Sequence, residues 1–201
     1  MKELKTDVLI VGGGVGGCAA ALAVARAGRQ VILTEESDWI GGQLTSQAVP
    51  PDEHGWIESF GCTKTYRRFR EEVRNYYRKI FPLTKEQIEN PILNPGNGWV
   101  SPLCAEPKVF LAVLEGWLTK HTGKGNLKIL RETVSISAET NGDKVQNVTL
   151  LDKKTGEEIS VKAKYFVDAT ELGELLPLTK TEFVTGSESS RETGDVIMLG
   201  I

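Results

Sequence analysis

Six residues near the N-terminus have the types and spacing to grip a phosphate chain: Gly12, Gly13, Gly14, Val15, Gly16 and Gly17. Gly12, Gly14 and Gly17 form the pattern Gly-x-Gly-x-x-Gly, after the β-branched run Asp7–Val11 and before the Ala-rich stretch Cys18–Ala27. Each glycine in that setting has a physical job. Gly12 allows the tight turn, Gly14 lets a pyrophosphate reach the backbone, and Gly17 lets helix and strand pack closely. The free N–H groups and positive dipole end of the helix would face the phosphates. Glu35 follows Gly17 by 18 positions, at the end of the next apolar run, with Glu36 beside it. An acid there accepts hydrogen bonds from ribose hydroxyls. It also repels a ribose 2′-phosphate, so NADP is disfavoured. The motif predicts a dinucleotide site, and by itself it does not choose between FAD and NAD.

Other chemistry is thinly provided. Cys18, Cys62 and Cys104 are odd in number and widely spaced, and with His54 and His121 they form no Cys/His cluster. Neither a disulfide framework nor a zinc or histidine-rich metal centre is supported. His54 sits in Pro51-Asp52-Glu53-His54-Gly55 and reads as an exposed loop histidine. Cys62 reads as a quiet buried thiol, Cys18 as helix packing, and Cys104 has no base beside it. Trp99 is expected to anchor core rather than stack on a ligand. No catalytic residue is assigned.

The elements that must position the loop follow from periodicity. Thr6–Val11 reads as a buried strand, Gly17–Ala27 as a helix closed by Gly28, and Val31–Glu35 as a second strand. This unit fits a parallel sheet with a right-handed crossover. Tyr66–Phe81 reads as a helix with the apolar stripe Tyr66, Phe69, Val73, Tyr76, Tyr77 and Ile80. Its other face carries Arg67, Arg68, Arg70, Arg74, Arg78 and Lys79, with Glu71 and Glu72 interleaved, and is expected to be solvated. Asn90–Pro107 is a long loop, and Pro107 opens a further helix through Lys120. The rest is mostly β: Leu127–Leu130, Thr133–Ala138, a hairpin at Asn141-Gly142, Val145–Leu151, Ile159–Ala163 and a final buried strand Tyr165–Asp168. Beyond about Thr179 the chain turns polar.

Composition bounds the reading. The 201 residues are 40% hydrophobic and 25% charged, enough for a sizeable core in one domain or one with an appendage. A net charge of −3 argues against a general nucleic-acid or anionic-membrane binder. Val8–Ala25 is uncharged, but five glycines interrupt it, so it reads as strand, loop and helix rather than a membrane span or signal peptide. A cytoplasmic protein is expected, with homo-oligomerisation left open.

Further segments narrow the reading by resemblance. Gly41-Gly42 resembles the glycine pair that follows the ribose acid in flavoproteins of the glutathione-reductase-like class. Tyr165-Phe166-Val167-Asp168-Ala169-Thr170 resembles the strand and Ala-Thr-Gly motif of that class. More narrowly, Gly41 to Gln47, Asn94 to Ser101 and Asp168 to Leu176 are similar to one group of bacterial FAD-dependent oxidoreductases, over about Asp7 to Gly194. The resemblance implies an α/β, Rossmann-like FAD-binding domain over residues 1–180 with a parallel sheet. A helical insertion at about 60–122, a β-meander at about 133–163 and an irregular tail at 181–201 complete it. It implies FAD as cofactor, hydride transfer through a flavin, and a small-molecule substrate it does not name. The contacts it implies are the glycine loop, Glu35, Glu36, Gly41, Gly42, Gln43, Ala169 and Thr170, with Val134 against adenine and Gln43 through Gln47 near the flavin.

Two departures stand out. Glu171 replaces the usual Gly of the Ala-Thr-Gly motif. Gly194-Asp195 is the only late candidate for the segment that meets the ribityl and pyrophosphate, and no apolar strand precedes it. The expectation is an N-terminal portion in which the ADP half of FAD has its seat and the isoalloxazine half lacks much of its wall. A single-domain NAD-dependent dehydrogenase and a non-catalytic, truncated nucleotide-binding module are the rival readings.

Overall fold

A computed structural model describes residues 2–186 of the chain. Its core is a sheet of β1 (Lys2–Val11), β2 (Val31–Thr34), β3 (Leu127–Leu130), β4 (Thr133–Asn141), β5 (Lys144–Asp152) and β6 (Glu158–Asp168). The strand order is β3-β2-β1-β6-β5-β4. β1, β2, β3 and β6 run parallel to their neighbours among themselves, while β4 and β5 fold back antiparallel onto β6. This is the expected α/β architecture with a meander.

The C-terminal end of β1, Leu9–Val11, is buried on both faces because it lies at the centre. Ile10 joins the layer of α1 (Val15–Arg26), α2 (Lys64–Ile80) and α4 (Pro107–Gly123), while Leu9 and Val11 join Val148, Leu150, Ile159, Val161 and Leu175 on the other side. Such two-sided burial explains an unbroken apolar run instead of an alternating one. The insertion between β2 and β3 is helical as expected, with two short helices that periodicity does not reveal: α3 (Lys85–Glu89) within it, and α5 (Leu175–Thr179) after β6. Both have five residues, too few to show a period.

Four expectations need correction. Ile159–Ala163 and Tyr165–Asp168 are one strand, β6, continuously paired with β1. Its last residues are not buried, and Tyr165 is exposed, because β5 pairs with β6 only as far as Lys162. α1 begins at Val15 rather than Gly17, since Gly14 in extended backbone already serves as its N-cap. Trp99 lies in the long loop fully in solvent, at 95% exposure, and anchors nothing.

The basic face of α2 is the fourth. Arg70 and Arg74 are 1% and 3% exposed, so the face is not simply solvated. Arg70 pairs with Glu53 and Glu58, and Arg74 donates to Glu58 Oε2 at 3.1 Å and to the Leu93 carbonyl at 2.9 Å. Tyr66 Oη donates to Glu53. The acids come from the irregular segment after the second glycine pair, and neither partner is near in sequence. This cluster straps that segment to α2. Burial pulls the Glu58 carboxyl upward, but the Arg74 and Arg70 guanidiniums hold it below its usual value.

Glu58→Ala should leave both guanidiniums buried without their shared partner and cost about 3 kcal/mol, within the range for one-sided loss of a buried pair. Because Glu58 is depressed in the folded state, its contribution is full above pH 4.5 and fades as pH falls further through the folded value. Urea unfolding of parent and variant checks this: the gap in stability should be wide at neutral pH and close in acid.

Candidate functional site

The glycine loop is shaped from within by two backbone crossings. At Gly12, where φ is +101°, a Cβ would stand 2.2 Å from the Ala169 carbonyl oxygen at the end of β6. At Gly17 a Cβ would stand 1.9 Å from the Gly12 carbonyl oxygen. Both glycines are therefore demanded by the protein itself. Gly14 is different. Its φ is −59°, which any residue adopts, and the nearest atom to a Cβ there would be the carboxylate Oε1 of Glu171 at 3.5 Å. The fold does not require a bare Cα at Gly14, and only that movable carboxylate comes near the space.

The second glycine pair is tied to the first. Gly41 N donates to the Gly13 carbonyl at 2.8 Å, and Gly42 opens a short 3-10 turn, Gly42–Leu44. Glu35 lies one residue past β2 and is 6% exposed. Its Oε1 accepts from Ser37 N at 2.9 Å and Ser37 Oγ at 2.7 Å. Its Oε2 lies where a Cβ on Gly13 would meet it at 2.6 Å. After β6, Asp168 organises the turn: Oδ1 accepts from Thr170 N and Oγ1, and Oδ2 from Leu175 N at 2.8 Å.

These pieces surround a cleft of about 210 Å³ at the C-terminal ends of β1, β2 and β6. The sheet's direction of winding changes between β1 and β6, which is where open α/β sheets take ligands. Gly12, Gly13, Gly14, Glu35, Glu36, Gly42, Val134, Ala169 and Thr170 all line it. Val15, Gly16, Gly17, Gly41 and Gln43 do not. Val15, Gly16 and Gly17 form the first turn of α1 behind the loop, Gly41 is buried beneath it, and Gln43 Nε2 donates to the Pro50 carbonyl at 3.2 Å. Sequence reasoning passed over the wall contributed by Thr34, Thr133, Ser135, Leu172 and Glu174. No spacing signals Thr133 and Ser135, which reach the wall because Thr133 N donates to the Glu35 carbonyl at 2.9 Å. Ser135 Oγ is buried without a hydrogen-bond partner among the described residues.

Neither His54, Cys62 nor Cys104 lines the cleft. His54 is exposed as expected, and its Nδ1 accepts from Trp56 N at 3.2 Å. Cys62 is half-buried rather than buried. Cys18 is buried and donates to the Gly13 carbonyl at 3.2 Å; burial, and then the charge of Glu35, push its thiol up to about 12. No group of His, Cys, Asp and Glu suited to a metal ion occurs among the described residues, and no described helix is long and apolar enough to cross a membrane. Gly194-Asp195 and Val196–Ile201 lie outside the described residues.

A glycine loop leading into a helix, a buried acid after the second strand and a cleft at the winding change together have the layout of a dinucleotide-binding protein. The chain belongs to the FAD dependent oxidoreductase family, whose model matches residues 7–199. FAD is its cofactor.

Digeranylgeranylglycerophospholipid reductase of Sulfolobus acidocaldarius is 26% identical over 85% of this chain and 35% of its own length. An L-amino acid oxidase of Cerastes cerastes is 39% identical over 36% of this chain and 14% of its own. Among solved structures, the FAD complex of glycerol-3-phosphate dehydrogenase from Bacillus halodurans shares the fold. It superposes with a TM-score of 0.54 at 17% identity, covering 88% of this chain and 36% of that one. The chain thus spans about a third or less of the length of these relatives.

The steric contrast between the glycines is checkable without any ligand. Gly14→Ala should unfold in urea within about 1 kcal/mol of the parent, whereas Gly17→Ala should lose several kcal/mol or fail to fold, since overpacking against backbone cannot relax. The thiols give a second check: in the native protein at pH 8, Cys62 and Cys104 should react with an aromatic disulfide reagent, and Cys18 only after denaturation.

Proposed function

We propose that the chain is the N-terminal, FAD-binding portion of a longer flavoprotein of the glutathione-reductase-like class, acting by hydride transfer on a small molecule. The observation that carries this reading is the space at Gly14, which only the exposed Glu171 side chain approaches, beside Gly12 and Gly17, whose bareness the protein itself requires. A pyrophosphate there would meet the N-terminal end of α1, where unpaired N–H groups and the helix dipole favour negative charge. Glu35, with Oε1 held by Ser37, leaves Oε2 to accept from ribose hydroxyls. Val134 supplies apolar surface for adenine, and the unpartnered Ser135 Oγ beside it suits a polar edge of the base or sugar. Glu36, Gly42, Ala169 and Thr170 complete the wall, with Gly13 closing the loop beneath. The residues present therefore fit the ADP half of FAD.

When bound, FAD supplies exchange of an electron pair, as hydride, with a substrate. The protein's part is to bind and orient. Ser46 and Gln47, on the wall beyond Gly42, are the polar groups that reach past the phosphate position. The relatives are named for unrelated substrates, an isoprenoid lipid and amino acids, and support no single substrate class here. A cytoplasmic setting without nucleic-acid or membrane partners accords with the balanced charge.

The test is the visible spectrum of the purified protein, then of the supernatant after denaturation. Flavin bands that pass into the supernatant are expected. A colourless protein that takes up NAD but not added FAD overturns the reading. Gly14→Val should abolish flavin retention, because a branched Cβ fills the open space. Glu35→Ala should weaken FAD by at most about 1.5–3 kcal/mol, the value of hydrogen bonds to a charged group, measured by titration of flavin fluorescence.

A further inference from the structure

We propose that Glu171 stands in the space the pyrophosphate must take, and that its withdrawal sets the affinity and charge preference of the loop. The proposal rests on the reading of the cleft as the FAD site and goes beyond it. Glu171 Oε1 lies 3.5 Å from where a Cβ on Gly14 would be and 3.2 Å from one on Gly42. It therefore sits in the notch between the two glycine segments, beside a glycine whose bareness the fold does not itself require.

The surroundings leave that carboxylate movable and its charge unanswered. Glu171 is exposed, and among the described residues its side chain makes no hydrogen bond or ion pair. The backbone around it is held: Thr170 is pinned to Asp168, Glu174 N donates to Thr170 Oγ1 at 2.8 Å, and Leu175 N donates to Asp168 Oδ2. The side chain can thus swing while the turn stays. The cleft wall carries four carboxylates, Glu35, Glu36, Glu171 and Glu174, and no Lys or Arg. A pyrophosphate must settle there on backbone N–H groups and the helix dipole alone, against like charge at close range.

The experiment compares the parent with Glu171→Gln, which keeps size and removes charge, in binding FAD, ADP and adenosine at low and high salt. The variant should bind ADP and FAD about three- to tenfold more tightly, the scale of a partly screened like-charge contact. Adenosine, which has no phosphate, should bind both proteins equally. Added KCl should narrow the gap for ADP and FAD, since salt screens an exposed carboxylate. Equal affinity of both proteins for ADP, or an equal gain for adenosine, overturns the proposal and leaves the FAD reading intact. Weaker FAD binding by the variant also overturns it, because Glu171 would then be an acceptor for the bound cofactor. If neither protein binds FAD or ADP, the FAD reading fails and the proposal with it.

Discussion

Everything at this site depends on one stack of two backbone crossings. The carbonyl of Ala169, leaving β6, presses on Gly12, and the carbonyl of Gly12 in turn lies beneath Gly17 in α1. The glycine loop and the end of β6, far apart in sequence, meet there backbone to backbone, with the Ala169 methyl beside Gly17. A Cβ at Gly12 or Gly17 would force the helix off the strand or the strand off its neighbour. The position of the helix start, the depth of the loop and the width of the cleft all follow from this contact.

Because the crossing is made of backbone, it leaves the chemistry of the cleft to residues hung around it. Glu35 is held from β2, Val134 and Ser135 from β4, and Glu171 and Glu174 from the turn after β6. Their shared sign gives the cleft a negative field, opposed by the N-terminal end of α1. On the proposed reading, a phosphate there would be held by fixed dipoles against like-charged carboxylates, which differs from a site built on Lys or Arg. The buried cluster of Arg70, Arg74, Glu53 and Glu58 sits apart from that balance and serves the frame.

Much of this was legible in the residues themselves. The glycine spacing, the acid after the second apolar run and the Asn141-Gly142 hairpin each encode a local geometry, so the loop, Glu35 and the meander emerged where expected. What stayed hidden depends on tertiary pairing. Arg70 and Arg74 look like any charged face until Glu53 and Glu58 are brought to them from another segment. Tyr165–Asp168 looks like a separate buried strand until β5 is found to stop at Lys162. Thr133 and Ser135 join the wall only because β4 begins beside the end of β2, and no pattern of residue types signals that.

The pairing of β1 with β6 also governs the order in which the molecule can assemble. β1 runs from Lys2 and is matched to Ile159 through Asp168 along nearly its whole length. β1 therefore keeps one edge open until almost the entire described chain has emerged. Only β2 can close its other side early, and β2 is four residues long. Such long-range closure makes for slow folding and prolonged exposure of an apolar edge. A nascent chain of this kind has most to gain from a chaperone holding its N-terminal strand until β6 arrives.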